Sequence, residues 1–178
     1  MRNTGHMGKS GLRAGAVVVL AALLIGPGAG HTAPSAVKLA DRIEVFKAEH
    51  RLVLLRDGKP VKSYRVSIGT NPVGPKREQG DHRTPEGSYV IDFHKRDSAF
   101  HLALHISYPS EEDRRQAALR GVSPGGSVMI HGLPNDWPGF AVIHRYHDWT
   151  DGCIAVTDRE IEEIAAAVPD GTPIVIHP

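Results

Sequence analysis

Apolar and polar residues alternate from Arg42 to Lys47 (RIEVFK), the period-two pattern of a half-buried strand. RLVLL, then DGK, then PVKSYRVSIG predicts a hairpin turning at Asp57 and Gly58. The next stretch, GTNPVGPKREQGDHRTPEGSY, is dense in Gly, Pro and charge, which predicts a long surface loop ending near Gly87 rather than a core element. Long loops in compact domains tend to carry function. Strand patterning returns in SYVIDFH and FHLALHISY, with Phe100, Leu102, Leu104 and Ile106 on one face and His101 and His105 on the other, read as a solvated face. SEEDRRQAALRG predicts a short helix with Ser110 as N-cap and Gly121 as its stop. SVMIH reads as a buried strand ending on His131. Thr157 and Glu160 have capping-box spacing, and Ile161, Ile164, Ala165 and Val168 share one face, so a helix is expected from about Asp158 to Val168. PDGT then turns the chain into a last strand, PIVIH. The predicted fold class is mainly β with a few short helices (α+β).

The first 33 residues have a different pattern. Arg2, Lys9 and Arg13 precede an apolar run from Ala14 to Ile25, followed by the small residues of GPGAGHTAPSA. This is the pattern of a secretory signal peptide, with cleavage expected between about Ala29 and Ala36. The run is shorter than the roughly 20 residues of a spanning helix. The expected division is therefore a leader over 1–33 and one domain over 37–178, with no stable membrane span after cleavage.

Composition supports a single globular domain: 178 residues, 40% hydrophobic and 23% charged. The chain carries 21 basic and 20 acidic residues. Three basic residues and no acidic ones lie in the leader, leaving 18 against 20, a net of −2. No basic block or aromatic-interleaved stripe is present, which argues against a nucleic-acid partner.

One cysteine, Cys153, stands in TDGCIAVTD. A lone thiol in an oxidising compartment forms no staple within its own chain. It is an inert buried hydrophobe, an intermolecular cross-link or a nucleophile. Gly152 permits close backbone approach, and successive N–H groups around a Gly-Cys step suit one oxyanion. His131, His144 and His147 are the imidazoles available to take the thiol proton; His131 is favoured because a strand end followed by Gly132 holds a side chain rigidly. A zinc site using Asp148, Asp151, these histidines and Cys153 lacks any HExxH or CxxC pairing.

Three separated motifs together carry a resemblance. RTPEGSY, the IHG of Ile130 to Gly132, and a Gly-Cys-Ile element about twenty residues later are similar in order and spacing to the YkuD-type L,D-transpeptidase catalytic domain. The resemblance spans roughly Asp41 to His177. It implies a β-sandwich catalytic domain with no cofactor, acting on peptidoglycan stem peptides in the periplasm or cell envelope. It further implies Cys153 as nucleophile, His131 as base, a carbonyl near Gly132 orienting the imidazole, and N–H groups of Asp151, Gly152 and Cys153 as the oxyanion hole.

Two departures from the family pattern point to its YafK-like branch: Asp151 stands where a second His is usual, and Ala155 where a polar residue commonly follows. A carboxylate beside the thiol raises its pKa unless it points away. In that branch the acyl acceptor is an amine or water, and a lipoprotein lysine is a further acceptor or substrate. The other class of reading is a wall-binding domain with an idle thiol. Trp137, Arg145, Tyr146 and Trp149, within Pro134 to Trp149, are expected to line the substrate groove, Arg145 by pairing with a carboxylate.

Overall fold

The computed structural model describes residues 39–137 and 144–178. The expected leader over 1–33 lies outside them.

The elements that alternate in sequence form strands β1 (Arg42–Phe46), β2 (Arg51–Arg56), β3 (Lys59–Arg65), β4 (Gly87–Ser98), β5 (His101–Ile106), β6 (Met129–His131), β7 (Ile154–Ala155) and β8 (Pro173–His177). The β2–β3 hairpin turns at Asp57 and Gly58, both with positive φ (50° and 70°), as a tight two-residue connection requires. Sheet order is β3-β2-β1-β8-β4-β5-β6-β7. Twelve-residue β4 joins the two halves: Gly87–Val90 pairs with β8, and Ile91–Ser98 with β5. Both halves contribute to one core, which includes Ile43, Leu54, Ile91, Leu104, Ile130 and Ile154.

The outer edges then meet. Beyond β3 the chain bridges back to the far edge, Ser67 opposite Ala155 and Gly69 opposite Thr150. Ser67 and Ala155 exchange backbone hydrogen bonds of 3.0 and 2.8 Å. The cysteine segment is thereby held on both sides, by β6 and by residues 67–70. An edge strand has been made into an interior one.

Helix α1 (Glu111–Leu119) starts at a capping box made by Ser110 and Asp113. Helix α2 (Asp158–Ala167) starts at the Thr157–Glu160 box and buries Ile161, Ile164 and Ala167. Among the described residues no helix is long and apolar enough to cross a membrane.

The segment between Gly69 and Gly87 is the expected long surface loop, but its inner side is buried. Thr84 is fully buried, Lys76 is buried within the loop, and Lys47 is buried against it. The Lys47 ammonium donates to Gly74 O (2.7 Å), Thr84 O (3.1 Å) and Glu86 Oε1 (2.7 Å). Asp81 gathers the other end, accepting from Lys76 Nζ (2.7 Å) and from the N–H groups of Arg77 and Arg83. Polar residues are buried here because each finds a partner.

Candidate active site

Cys153 lies immediately before β7, at the end of a tight turn. Thr150 Oγ1 ties that turn, donating to Cys153 O (2.7 Å) and accepting the Gly152 N–H (3.2 Å). Gly152 has φ +121°, and a Cβ there would lie 2.5 Å from Arg83 O. Only glycine fits both demands.

The thiol is half-buried and points at Ser127 O, 3.7 Å away. It opens on a cavity of about 310 Å³ whose wall includes Lys76, His82, Ser127 and Asp151. Burial raises the thiol pKa, and Asp151 adds to that, while a backbone hydrogen bond from Met129 and the Lys76 charge pull it down. Lys76 is fixed by Asp81 and by Glu78 O at 3.2 Å.

His131 reaches the same region from the neighbouring strand. Ile130 pairs with Ile154 and His131 with Ala155 in parallel register. Because the two isoleucines face the core, the pleat sends the flanking His131 and Cys153 to the opposite face, two rungs apart, a diagonal of roughly 7–8 Å between backbones. The imidazole Nδ1 sits 2.7 Å from Gly132 O. A carbonyl only accepts, so Nδ1 carries the proton and Nε2 keeps its lone pair. Phe100 lies 4.5 Å from the ring, tilted by 37°, and Trp149 meets it edge-on at 5.7 Å. The residue is 3% exposed. Burial depresses its pKa to about 4, against the opposing Gly132 hydrogen bond.

The segment that follows is anchored by α2. Asp158 Oδ1 accepts the Leu133 N–H at 2.8 Å, and a Cβ on Gly132 would lie 2.7 Å from the same oxygen. Gly132 is therefore required by close packing rather than by a turn.

The structure sorts the other sequence candidates. The Asp151 carboxylate turns outward, with 89% of its side chain exposed, and accepts from His82 Nδ1 at 2.7 Å. The Gly152 N–H, expected at the oxyanion hole, is engaged by Thr150. His144 is fully buried with Nδ1 3.5 Å from Ser67 Oγ, and burial lowers its pKa. His147 is exposed. Asp148 accepts from Ile68 N (2.9 Å) and pairs with His50 (3.0 Å). Among the described residues no three His, Cys, Asp or Glu side chains come together as a metal site.

Of the expected groove residues, Trp149 lies against the His131 ring and the other three do not wall the cavity beside Cys153. Arg145 is ion-paired with Glu160 at 2.7 Å, the carboxylate of the α2 capping box. Trp137 and Tyr146 are 63% and 77% exposed, and neither they nor Arg145 are among the residues walling the Cys153 cavity. Residues 138–143 of the expected groove lie outside the described residues. Lys76, His82 and Ser127 enter the site without having been singled out in sequence. Loop length marked the neighbourhood of Lys76 and His82, whereas Ser127 belonged to the expected strand SVMIH, which starts only at Met129.

The strand order and this site define a mainly β domain that sets a half-buried thiol at the head of the strand next to the one carrying a buried histidine. Residues 40–176 match the model of the YkuD L,D-transpeptidase catalytic domain, and the chain belongs to that family. YafK of Escherichia coli (strain K12) is 31% identical over 128 residues, covering 68% of this chain and 44% of that protein. The chain thus spans less than half the length of that curated relative. Among solved structures, the helical cell shape determining protein Pgp2 from Campylobacter jejuni superposes with a TM-score of 0.58 at 21% identity, covering 81% of this chain and 51% of that one. L,D-transpeptidase 3 from Mycobacterium tuberculosis, in complex with a faropenem-derived adduct, gives 0.53 at 16% identity, covering 78% and 60%. At these identities the two structures speak to the fold.

Proposed function

We propose that this protein is an exported cysteine L,D-transpeptidase acting on peptidoglycan stem peptides in the cell envelope. The observation that carries the reading is the placement of Cys153 and His131 on one face of adjacent strands, with the thiol open to a cavity. The Nε2 lone pair of His131 takes the Cys153 proton as the sulfur attacks the carbonyl at the L-centre of diaminopimelate. Cys153 N–H, beside the fixed Thr150–Gly152 turn, faces the oxyanion as a donor, with Asp151 N–H as the second. Collapse breaks the C–N bond, His131 returns its proton to the departing D-alanine amine, and a thioester on Cys153 remains.

Because burial lowers the imidazole and raises the thiol, the resting pair is neutral. Proton transfer thus accompanies attack instead of preceding it. An amine then takes the acyl group, from a second stem peptide or a lipoprotein lysine. Hydrolysis is the second reading, favoured by Ala155: fully buried, it presents no polar side chain to hold an acceptor.

Intact mass after incubation with a carbapenem tests the reading. Wild type gains one adduct and Cys153→Ala none; an unmodified wild type, or an adduct that survives the substitution, refutes it.

A further inference from the structure

His131 and the cavity beside Cys153 lie in different parts of the thiol segment's surroundings. Its ring is covered by Phe100 and Trp149, it is 3% exposed, and it does not wall the cavity on which Cys153 opens. A second substrate entering by that cavity meets another imidazole first. His82 and Asp151 both wall it, on the approach to the sulfur. Asp151 is two residues from the nucleophile in the chain; His82 comes from the loop after β3, 69 residues away in sequence.

The His82–Asp151 pair is oriented for proton acceptance. The carboxylate holds Nδ1 at 2.7 Å, so Nδ1 carries the hydrogen and Nε2 offers its lone pair. The His82 backbone is fixed as well. It has φ +55°, its carbonyl accepts the Asn71 N–H at 3.1 Å, and that oxygen would lie 2.2 Å from a Cβ on Gly69. The His82 side chain itself is 52% exposed, and it is the Asp151 contact that sets the direction of the ring. The cation in the same wall, Lys76, is already engaged by Asp81 and Glu78 O. It does not compete for the Asp151 carboxylate.

We infer that His82, positioned by Asp151, is the general base for the acyl acceptor of that reading, the primary amine, entering through this cavity. This rests on the cysteine acyltransferase reading above. In the step, the amine nitrogen attacks the thioester carbonyl carbon and passes one N–H proton to His82 Nε2. A C–N bond forms, the C–S bond breaks with its electron pair leaving on the Cys153 sulfur, and the proton returns from His82 to that sulfur through solvent. Thioester and amine become amide and thiol. Two imidazoles divide the cycle: His131 serves acylation, His82 discharge.

The test uses the full chain with a diaminopimelate tetrapeptide as acyl donor and free diaminopimelate as the amine, followed by intact mass and by ligated product. His82→Gln is expected to form the Cys153 acyl-enzyme within about twofold of the wild-type rate. It should discharge to the amine roughly a hundredfold or more slowly, the lower end of what a general base contributes, so acyl-enzyme accumulates. Asp151→Asn is expected to move the same way by less. Accumulated acyl-enzyme is a signature that loss of folding does not produce. Discharge of His82→Gln at the wild-type rate overturns the inference, as does an equal slowing of both half-reactions. A wild-type chain that never acquires the acyl mass overturns the function reading itself, which keeps the two failures distinct.

Discussion

The carbonyl oxygen of Arg83 stands 2.5 Å from the point where a side chain on Gly152 would begin. The long loop after β3 is thus packed directly against the backbone that presents the nucleophile. Loop and cysteine turn form one rigid unit.

Gly152→Ala is therefore expected to lose about 1–3 kcal/mol of stability, from the φ of +121° and the contact together, and to stop carbapenem adduct formation. Gly171→Ala is the control: it shares the positive φ (+88°) but meets no atom within 4 Å. It should cost about 1 kcal/mol and leave the adduct intact. Thermal melts and intact mass read both.

Acid sensitivity follows from His131. Its folded pKa of about 4 lies below the ordinary 6.5, so between those values the unfolded chain binds a proton that the folded one does not. Stability is full above about pH 6.5 and falls towards pH 4, by about 3 kcal/mol from this residue alone. His131→Gln should flatten that part of a denaturation-versus-pH series. The acid limb of kcat/KM, which reports the free enzyme, is expected near pH 4 and not near 6.5.

Asp158 holds the backbone after His131 without touching the thiol. Asp158→Ala leaves the Leu133 N–H without its acceptor, an expected loss of about 1 kcal/mol. Because the His131 ring follows that backbone, kcat should fall roughly tenfold with little change in KM, a small displacement being enough for such a loss. Steady-state kinetics on a tetrapeptide separates the two parameters.

Surface and cap should differ in the opposite sense to their distance from the chemistry. Thr157→Ala removes the hydroxyl that caps α2 and is expected to cost about 1 kcal/mol. Lys62→Gln breaks the exposed Lys62–Glu163 pair and is expected to cost no more than about 0.5 kcal/mol. Urea midpoints measure both, and neither substitution should change adduct formation.

Where the site was legible in sequence, the reason is local. Ser110 and Thr157 announce their helices through contacts three residues long, and the Asp57–Gly58 turn through the backbone torsions it demands. Cys153 stood out as the lone thiol, and His131 as the residue ending an apolar strand before a glycine. Arg145 illustrates the opposite case. A guanidinium in a polar segment looks available for a carboxylate, yet it is taken by Glu160, fifteen residues on, which comes within reach only when α2 docks. Lys76 was hidden in a run of charges because its burial depends on Asp81 folding back over it.

What this sequence determined by itself is the set of strands and helices, the turn residues and the identity of the thiol, since periodicity, capping and glycine torsions act within a few residues of chain. The tertiary structure alone decided which groups meet: the bridge from Ser67 to Ala155 that walls in the cysteine, the outward turn of Asp151, and its pairing with His82. Those contacts join residues 69 to 88 positions apart. Closure of the sheet creates them, and no local pattern encodes a distance set by that closure.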